Sequence, residues 1–130
     1  FLYGAKEEVV SDLVKVISKK YQNLDVLGYS NGYIENKDQV FEIIKNLKPD
    51  ICLVALGIPN QELIINKHLK EFSKGIFIGV GGTFDVLSGH KKRAPKIFIK
   101  CHLEWLYRLI KEPKRLKRFW QNNIKFMLKK

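Results

Sequence analysis

Ile51-Cys52-Leu53-Val54-Ala55-Leu56, closed by Gly57-Ile58-Pro59-Asn60-Gln61-Glu62, is the stretch on which the fold turns. Six consecutive apolar residues leave no polar face. Such a strand is buried on both sides, as in the centre of a parallel sheet. Gly57 ends it, and Pro59 is well placed to open a helix carrying Leu63, Ile64 and Leu69. Upstream, Phe1–Gly4 reads as the end of another apolar strand. A helix follows, with Val9, Val10, Leu13, Val14, Ile17 and Tyr21 at helical spacing. Asp25–Tyr29 reads as a short strand and Asn31-Gly32 as a turn. Asn36 caps a second helix with Val40, Phe41, Ile44 and Leu47 on its apolar side, and Pro49-Asp50 stops it. Downstream, Ile76–Val80 is a fourth strand running into Gly81-Gly82. Strands alternating with helices predict an α/β, Rossmann-like parallel sheet with helices on both faces.

The pattern changes near residue 90. One helix is predicted from Ala94-Pro95 to about Lys111, with Phe98, Cys101, His102, Trp105, Leu106 and Leu109 on one side. Glu112-Pro113 breaks it, and a second basic helix follows with Leu116, Phe119, Trp120, Ile124, Met127 and Leu128 on one face. The expected organisation is an α/β core over 1–90 and a basic helical appendage over 91–130. Charge follows the same division. The net charge of +11 arises from 10 Lys against 11 Asp or Glu in residues 1–90, and 14 Lys or Arg against Glu104 and Glu112 in residues 91–130. An excess so segregated points to an anionic partner for the tail: nucleic acid, anionic lipid or a phosphorylated ligand.

Composition sets the outer limits. A chain of 130 residues with 45% hydrophobic and 28% charged side chains is an ordinary globular domain. It can bury about two-thirds of its unfolded surface. No apolar run approaches the roughly 20 residues of a membrane span, and residues 1–4 carry no signal-peptide pattern. The chain opens inside a strand, as a piece of a longer protein would. Cys52 and Cys101 cannot make a disulfide framework. Cys52 reads as a buried free thiol of a reducing cytosol. His68, His90 and His102 lack metal-site spacing, so no metal is expected.

Ligands of an open parallel sheet bind beyond the carboxyl ends of its strands. Three polar, glycine-containing loops fall there: Ser30–Tyr33, Gly57–Glu62 and Gly81–Gly89. Gln61 offers an amide to a polar ligand. Glu62 either complements its helix dipole or takes part in a site. Asp85 is placed either to accept from a ribose or base or to cap a helical turn. The sequence has neither GxGxxG, since Phe84 stands at the third position, nor GxxxxGK[ST].

These blocks, in order, carry a resemblance: Gly57-x-Pro59-x-Gln61-Glu62, Gly79-Val80-Gly81-Gly82-Thr83-Phe84-Asp85, Gly89, Arg93-Ala94-Pro95, Glu104-Trp105-x-x-Arg108, Glu112-Pro113-x-Arg115 and Arg118. The string resembles the WecG/TagA/CpsF glycosyltransferases, and Leu2-Tyr3-Gly4 and Gly28-Tyr29…Gly32-Tyr33 also fit. The resemblance implies an inverting transferase without a cofactor. It would move an N-acetylmannosamine-type sugar from UDP to polyprenyl-diphosphate-linked N-acetylglucosamine, in the synthesis of teichoic acid, common antigen or capsule. It further implies a cytoplasmic enzyme, peripheral at the inner face of the membrane. Its donor-site residues would be Gln61, Asp85, Gly81, Gly82 and Asn31, and Arg108, Arg115 and Arg118 would meet the acceptor diphosphate. Arginine is suited to that contact because its planar fork matches phosphate oxygens. Glu62, Arg93 and Glu104 would be structural ion partners. Family members are about twice as long, and their proposed general-base Asp lies in a half that precedes Phe1. No catalytic residue is therefore assigned, and this chain alone is expected to bind nucleotide but transfer sugar poorly. The alternative is a non-catalytic remnant or subunit that holds anionic membrane or nucleic acid through its tail. No specific nucleic-acid motif is present, and homo-oligomerisation stays open.

Overall fold

The computed structural model of the chain describes residues 1–111; the side chains of Trp105, Arg108 and Leu109 and everything beyond Lys111 lie outside the description. Two compact units divide the chain, Phe1–Lys92 and Arg93–Lys130. The first holds strands β1 (Leu2–Gly4), β2 (Tyr29–Ser30), β3 (Ile51–Ala55) and β4 (Ile76–Gly79), with helices α1 (Glu7–Lys20), α2 (Lys37–Leu47), α3 (Asn60–His68) and α4 (Thr83–Leu87). All strand pairs are parallel, in the order β2-β1-β3-β4. The expected α/β parallel sheet is the observed one.

Strand alternation sends side chains to opposite faces, and two cores result. On one face Tyr3, Cys52 and Val54 pack with Val40, Phe41 and Ile44 of α2, against Ile64, Ile65 and Phe77. On the other, Leu2 and Ala55 pack with Val9, Val10 and Leu13 of α1 and Phe84 of α4. This is why the run at 51–56 has no polar face: alternate residues feed different cores. Local signals set the helix ends. Asn36 Oδ1 accepts from Gln39 N–H at 3.3 Å, capping α2. In α1, Glu7 and Glu8 open the helix and Lys19 and Lys20 close it, matching its dipole.

Three sequence expectations are corrected. The strand expected over Asp25–Tyr29 is β2 at Tyr29–Ser30, because β1 is only three residues long and pairs there with Tyr29 and Ser30 alone. Of the apolar side expected for α3 and its continuation, only Ile64 packs on the core. Leu63 and Leu69 are exposed, whereas Gln61 and His68 are buried. In the second unit, the continuous helix expected to Lys111 is two helices, α5 (Lys96–Lys100) and α6 (Glu104–Lys111). His102 adopts φ 56° between them. Its N–H donates to the Ile99 carbonyl at 3.1 Å and Leu103 N–H donates to that of Phe98 at 2.8 Å. This left-handed closure ends α5. Phe98 and Tyr107 then meet at 5.3 Å between ring centroids.

The two thiols differ as the strand reading implies. Cys52 is buried and Cys101 is exposed. Burial pushes the Cys52 thiol up to about 12. Since the thiolate is the nucleophile, iodoacetamide near neutral pH should label Cys101 and leave Cys52 untouched until the chain is denatured. Mass spectrometry of the native and unfolded chain checks this. Labelling of Cys52 in the native chain would contradict the packing of β3.

Candidate ligand-binding crevice

The order β2-β1-β3-β4 places a reversal at β1. The chain moves from β1 to β2 on one side, then returns to β3 on the other. Helix α1 covers one face and α2 and α3 the other, so the chain leaves β1 and β3 toward opposite faces, the place at which open parallel sheets hold their ligands.

The backbone around this crevice is tightly stitched. Gly4 has φ +126°, and a Cβ there would stand 2.4 Å from the Ala55 carbonyl oxygen. Only glycine lets β1 turn away that close to β3. Ala5 N–H donates to the Ala55 carbonyl at 3.0 Å, and Gly32 N–H donates to the Ala5 carbonyl at 2.8 Å. The three strand ends β1, β2 and β3 are thereby joined. On the far side, Val80 N–H donates to the Val54 carbonyl at 2.8 Å, and Gly81 turns with φ +52° into open space.

Gln61 carries the link between the β3 and β4 loops. It is buried. Its Oε1 accepts from Gly81 N–H at 3.0 Å, and its Nε2 donates to Glu62 Oε1 at 2.7 Å. Both amide ends are thus engaged within the chain, and the observed role of Gln61 is a strut under Gly81. Asn31 has a parallel position in the β2–α2 loop. Its Nδ2 donates to Glu7 Oε2 at 2.8 Å, and its Oδ1 accepts from Tyr33 N–H at 2.9 Å. Asp85 is partly exposed in α4, 3.9 Å from Lys91 Nζ. Its own carbonyl accepts from Lys91 N–H at 2.7 Å. The structure therefore brings Gly81, Gly82 and Asp85 together at the end of β4, with Gln61 bonded to Gly81, whereas Asn31 stands beyond β2, at the opposite edge of the sheet. Arg108 falls in α6 with its side chain outside the description, and Arg115 and Arg118 lie outside the described residues.

Sequence reasoning missed one group altogether. His68, at the end of α3, stacks on Phe41 with 4.3 Å between ring centroids. Its Nε2 meets Asp38 Oδ1 and its Nδ1 meets Glu71 Oε1, both at 2.9 Å. Lys67 donates to both Asp38 oxygens at 2.7 and 2.8 Å, and Lys45 pairs with Glu71 at 2.8 Å. Lys67 first, and His68 after it, hold the Asp38 carboxyl below its ordinary range; Lys45 and then His68 do the same for Glu71. The cluster bolts α2 to the far end of the helix that carries Gln61. A His seated among apolar residues was the one signal available, and its two carboxylate partners come from other elements.

Replacing Gln61 with Leu keeps the volume and removes both hydrogen bonds. Gly81 is half-buried, so water can reach its freed N–H and the loss is that of an ordinary hydrogen bond, about 0.5–1.5 kcal/mol. Gln61→Leu should lower the free energy of unfolding in urea by that amount and speed amide exchange at Gly81 while β1 and β3 stay protected. Unchanged exchange at Gly81 would dismiss the strut.

A parallel sheet with its order reversal at β1 and helices on both faces defines a Rossmann-like domain. All of residues 1–130 match the glycosyl transferase WecG/TagA/CpsF family, and the chain belongs to it. It is 48% identical over 118 residues to the N-acetylglucosaminyldiphosphoundecaprenol N-acetyl-beta-D-mannosaminyltransferase of Bacillus subtilis (strain 168), an overlap of 91% of this chain and 46% of that one. The proteins of the same name from Bacillus spizizenii and Staphylococcus aureus (strain MW2) are 42% and 40% identical, over the same shares. The chain thus spans about half the length of the curated relatives it matches.

Proposed function

We propose that this chain carries the donor-binding core and acceptor-facing appendage of a transferase. The reaction moves an N-acetylmannosamine-type sugar from UDP to polyprenyl-diphosphate-linked N-acetylglucosamine. In this reading the acceptor hydroxyl displaces UDP from the anomeric carbon with inversion. The open backbone at Gly81-Gly82 admits the donor diphosphate, and Asp85 accepts from its ribose or base. Gln61 fixes the Gly81 turn, and Asn31 completes the donor side from the β2–α2 loop. Residues 1–90 form the donor core, and Arg108, Arg115 and Arg118 of 91–130 meet the acceptor diphosphate. The acceptor is membrane-linked, and the 14 Lys or Arg of residues 91–130 supply the charge by which the appendage holds the enzyme peripherally at the cytoplasmic face.

The observation that supports this reading most is the Gln61–Gly81 strut, which ties the helix after β3 to an open glycine turn beyond the carboxyl end of β4. The names of the relatives supply the sugar that is moved and the acceptor. A second reading, in which the appendage alone binds anionic surfaces, is favoured by the charge of residues 91–130.

Calorimetric titration of UDP and UDP-N-acetylmannosamine into the chain separates the two. The expected result is saturable binding that Asp85→Ala weakens about tenfold, the worth of one hydrogen bond to a charged acceptor. Absence of binding by both ligands would turn the assignment to the second reading.

A further inference from the structure

Helix α4, which carries Asp85, spans five residues, Thr83–Leu87. Little more than one turn of helix does not hold itself together in water, so its place is set by contacts outside it. At its start the anchor is apolar. Phe84 is fully buried in the cluster that contains Val9, Val10 and Leu13 of α1. At its end Leu87 is exposed, and Gly89 turns with φ +85° into open space.

The chain regains α1 at the next residue. His90 Nε2 meets Asp12 Oδ2 at 3.0 Å. A carboxylate only accepts, so Nε2 carries the hydrogen and donates it. Asp12 is itself held in place. Its Oδ1 takes the Lys15 ammonium at 2.8 Å, one turn along α1, which leaves Oδ2 for His90. Lys15 first, and His90 after it, hold the Asp12 carboxyl below its ordinary range, so it is ionised near neutral pH.

What His90 holds in turn is the backbone of Asp85. Lys91, its neighbour, donates its N–H to the Asp85 carbonyl at 2.7 Å, and Ser88 Oγ donates to the same oxygen at 3.4 Å. The chain over 88–91 thus folds back on Asp85, and the His90 side chain ties this fold-back to α1. Neither Asp12 nor His90 takes part in the donor contacts proposed above.

We infer that Asp12 is a positioning residue of the donor site: through His90 it seats the 88–91 segment on α1 and so fixes the direction of Asp85. The inference rests on the donor reading of Asp85 and adds to it a residue of α1. Both side chains of the pair are partly exposed, so solvent screens the link and its effect is a few-fold rather than a hundredfold.

The test is calorimetric titration of UDP-N-acetylmannosamine into the full chain and its variants. Asp12→Ala and His90→Ala should each weaken binding about threefold. The double variant should also lose about threefold and not ninefold, because both changes break one link. His90→Gln, whose amide N–H reaches the Nε2 position, should restore most of the affinity. Melting temperatures should barely change, since neither residue lies in the core. Amide exchange at Lys91 should quicken in both single variants. Losses that multiply in the double variant, or His90→Gln binding as weakly as His90→Ala, would overturn the positioning role. So would lower melting temperatures with unchanged affinity, which would make the pair structural only. The wild-type chain separates the two failures. If it binds the donor and the variants bind as well, the positioning role alone falls. If it does not bind the donor, the donor reading falls and this inference with it.

Discussion

Phe41→Ala should lower stability by about 3–5 kcal/mol, the cost of emptying a buried aromatic site. Phe41 is wholly buried. Its ring stacks on His68 at 4.3 Å and on Phe77 at 6.1 Å, and meets Tyr3 and Phe72 edge-on at 6.0 and 6.2 Å. It is therefore the common neighbour of α2, the end of α3, β1 and β4. These neighbours are held by the sheet and cannot all collapse inward, so most of the cavity persists. Against a total stability of about 5–15 kcal/mol, the loss takes a third or more. The melting temperature should fall by roughly 10 °C or more. The same cavity withdraws the floor on which His68 rests, so Asp38 and Glu71 lose their shared partner. Phe41→Leu, which refills part of the volume, should recover about half the loss. A loss in Phe41→Ala below about 1 kcal/mol would mean that the aromatic cluster does not join the two elements.

Gly4→Ala should cost about 3 kcal/mol or more, although it adds a single methyl group. Two terms combine. Gly4 holds φ +126°, where an L side chain is strained by about 1–3 kcal/mol. The new Cβ would also stand 2.4 Å from the Ala55 oxygen, which cannot retreat because Ala5 N–H is bonded to it at 3.0 Å. Overpacking against a fixed group adds about 1–3 kcal/mol. Gly57→Ala is the internal control: φ is +77°, but a Cβ there meets nothing within 4 Å. It should show the torsional cost alone, about 1 kcal/mol. Equal midpoints for the two variants in urea would show that the approach of β1 to β3 carries no energy. A larger loss in Gly4→Ala, with weaker UDP binding, would tie the crevice to that approach.

The reading of 51–56 as a central strand needed no tertiary information, because an unbroken apolar run excludes a wet face. Asn36 as a helix cap, the turn at Asn31-Gly32 and the loops beyond the strands were equally local, being set by groups a few residues apart. Gly81, Gly82 and Asp85 were legible as one loop for the same reason. Helix α3 was not legible in this way. Leu63 and Leu69 looked like its buried positions, but the face it turns inward depends on how it crosses β3 and β4. That crossing buries Gln61 and His68. Each polar group is paid for by partners remote in sequence: Gly81 lies 20 residues from Gln61, and Asp38 lies 30 residues from His68.

By itself, the sequence determined the alternation of strands and helices, the parallel sheet, the basic appendage and the family. These follow from hydrophobic periodicity, turn chemistry and motif order, all of which act over short distances along the chain. The tertiary structure alone decided that Gln61 is a strut and that His68 bolts α2 to α3. It alone decided that Asp12 of α1 meets His90, 78 residues along the chain. The physical reason is that a buried polar group is stable only where a complementary group is delivered to it, and that delivery is made by the packing of the sheet.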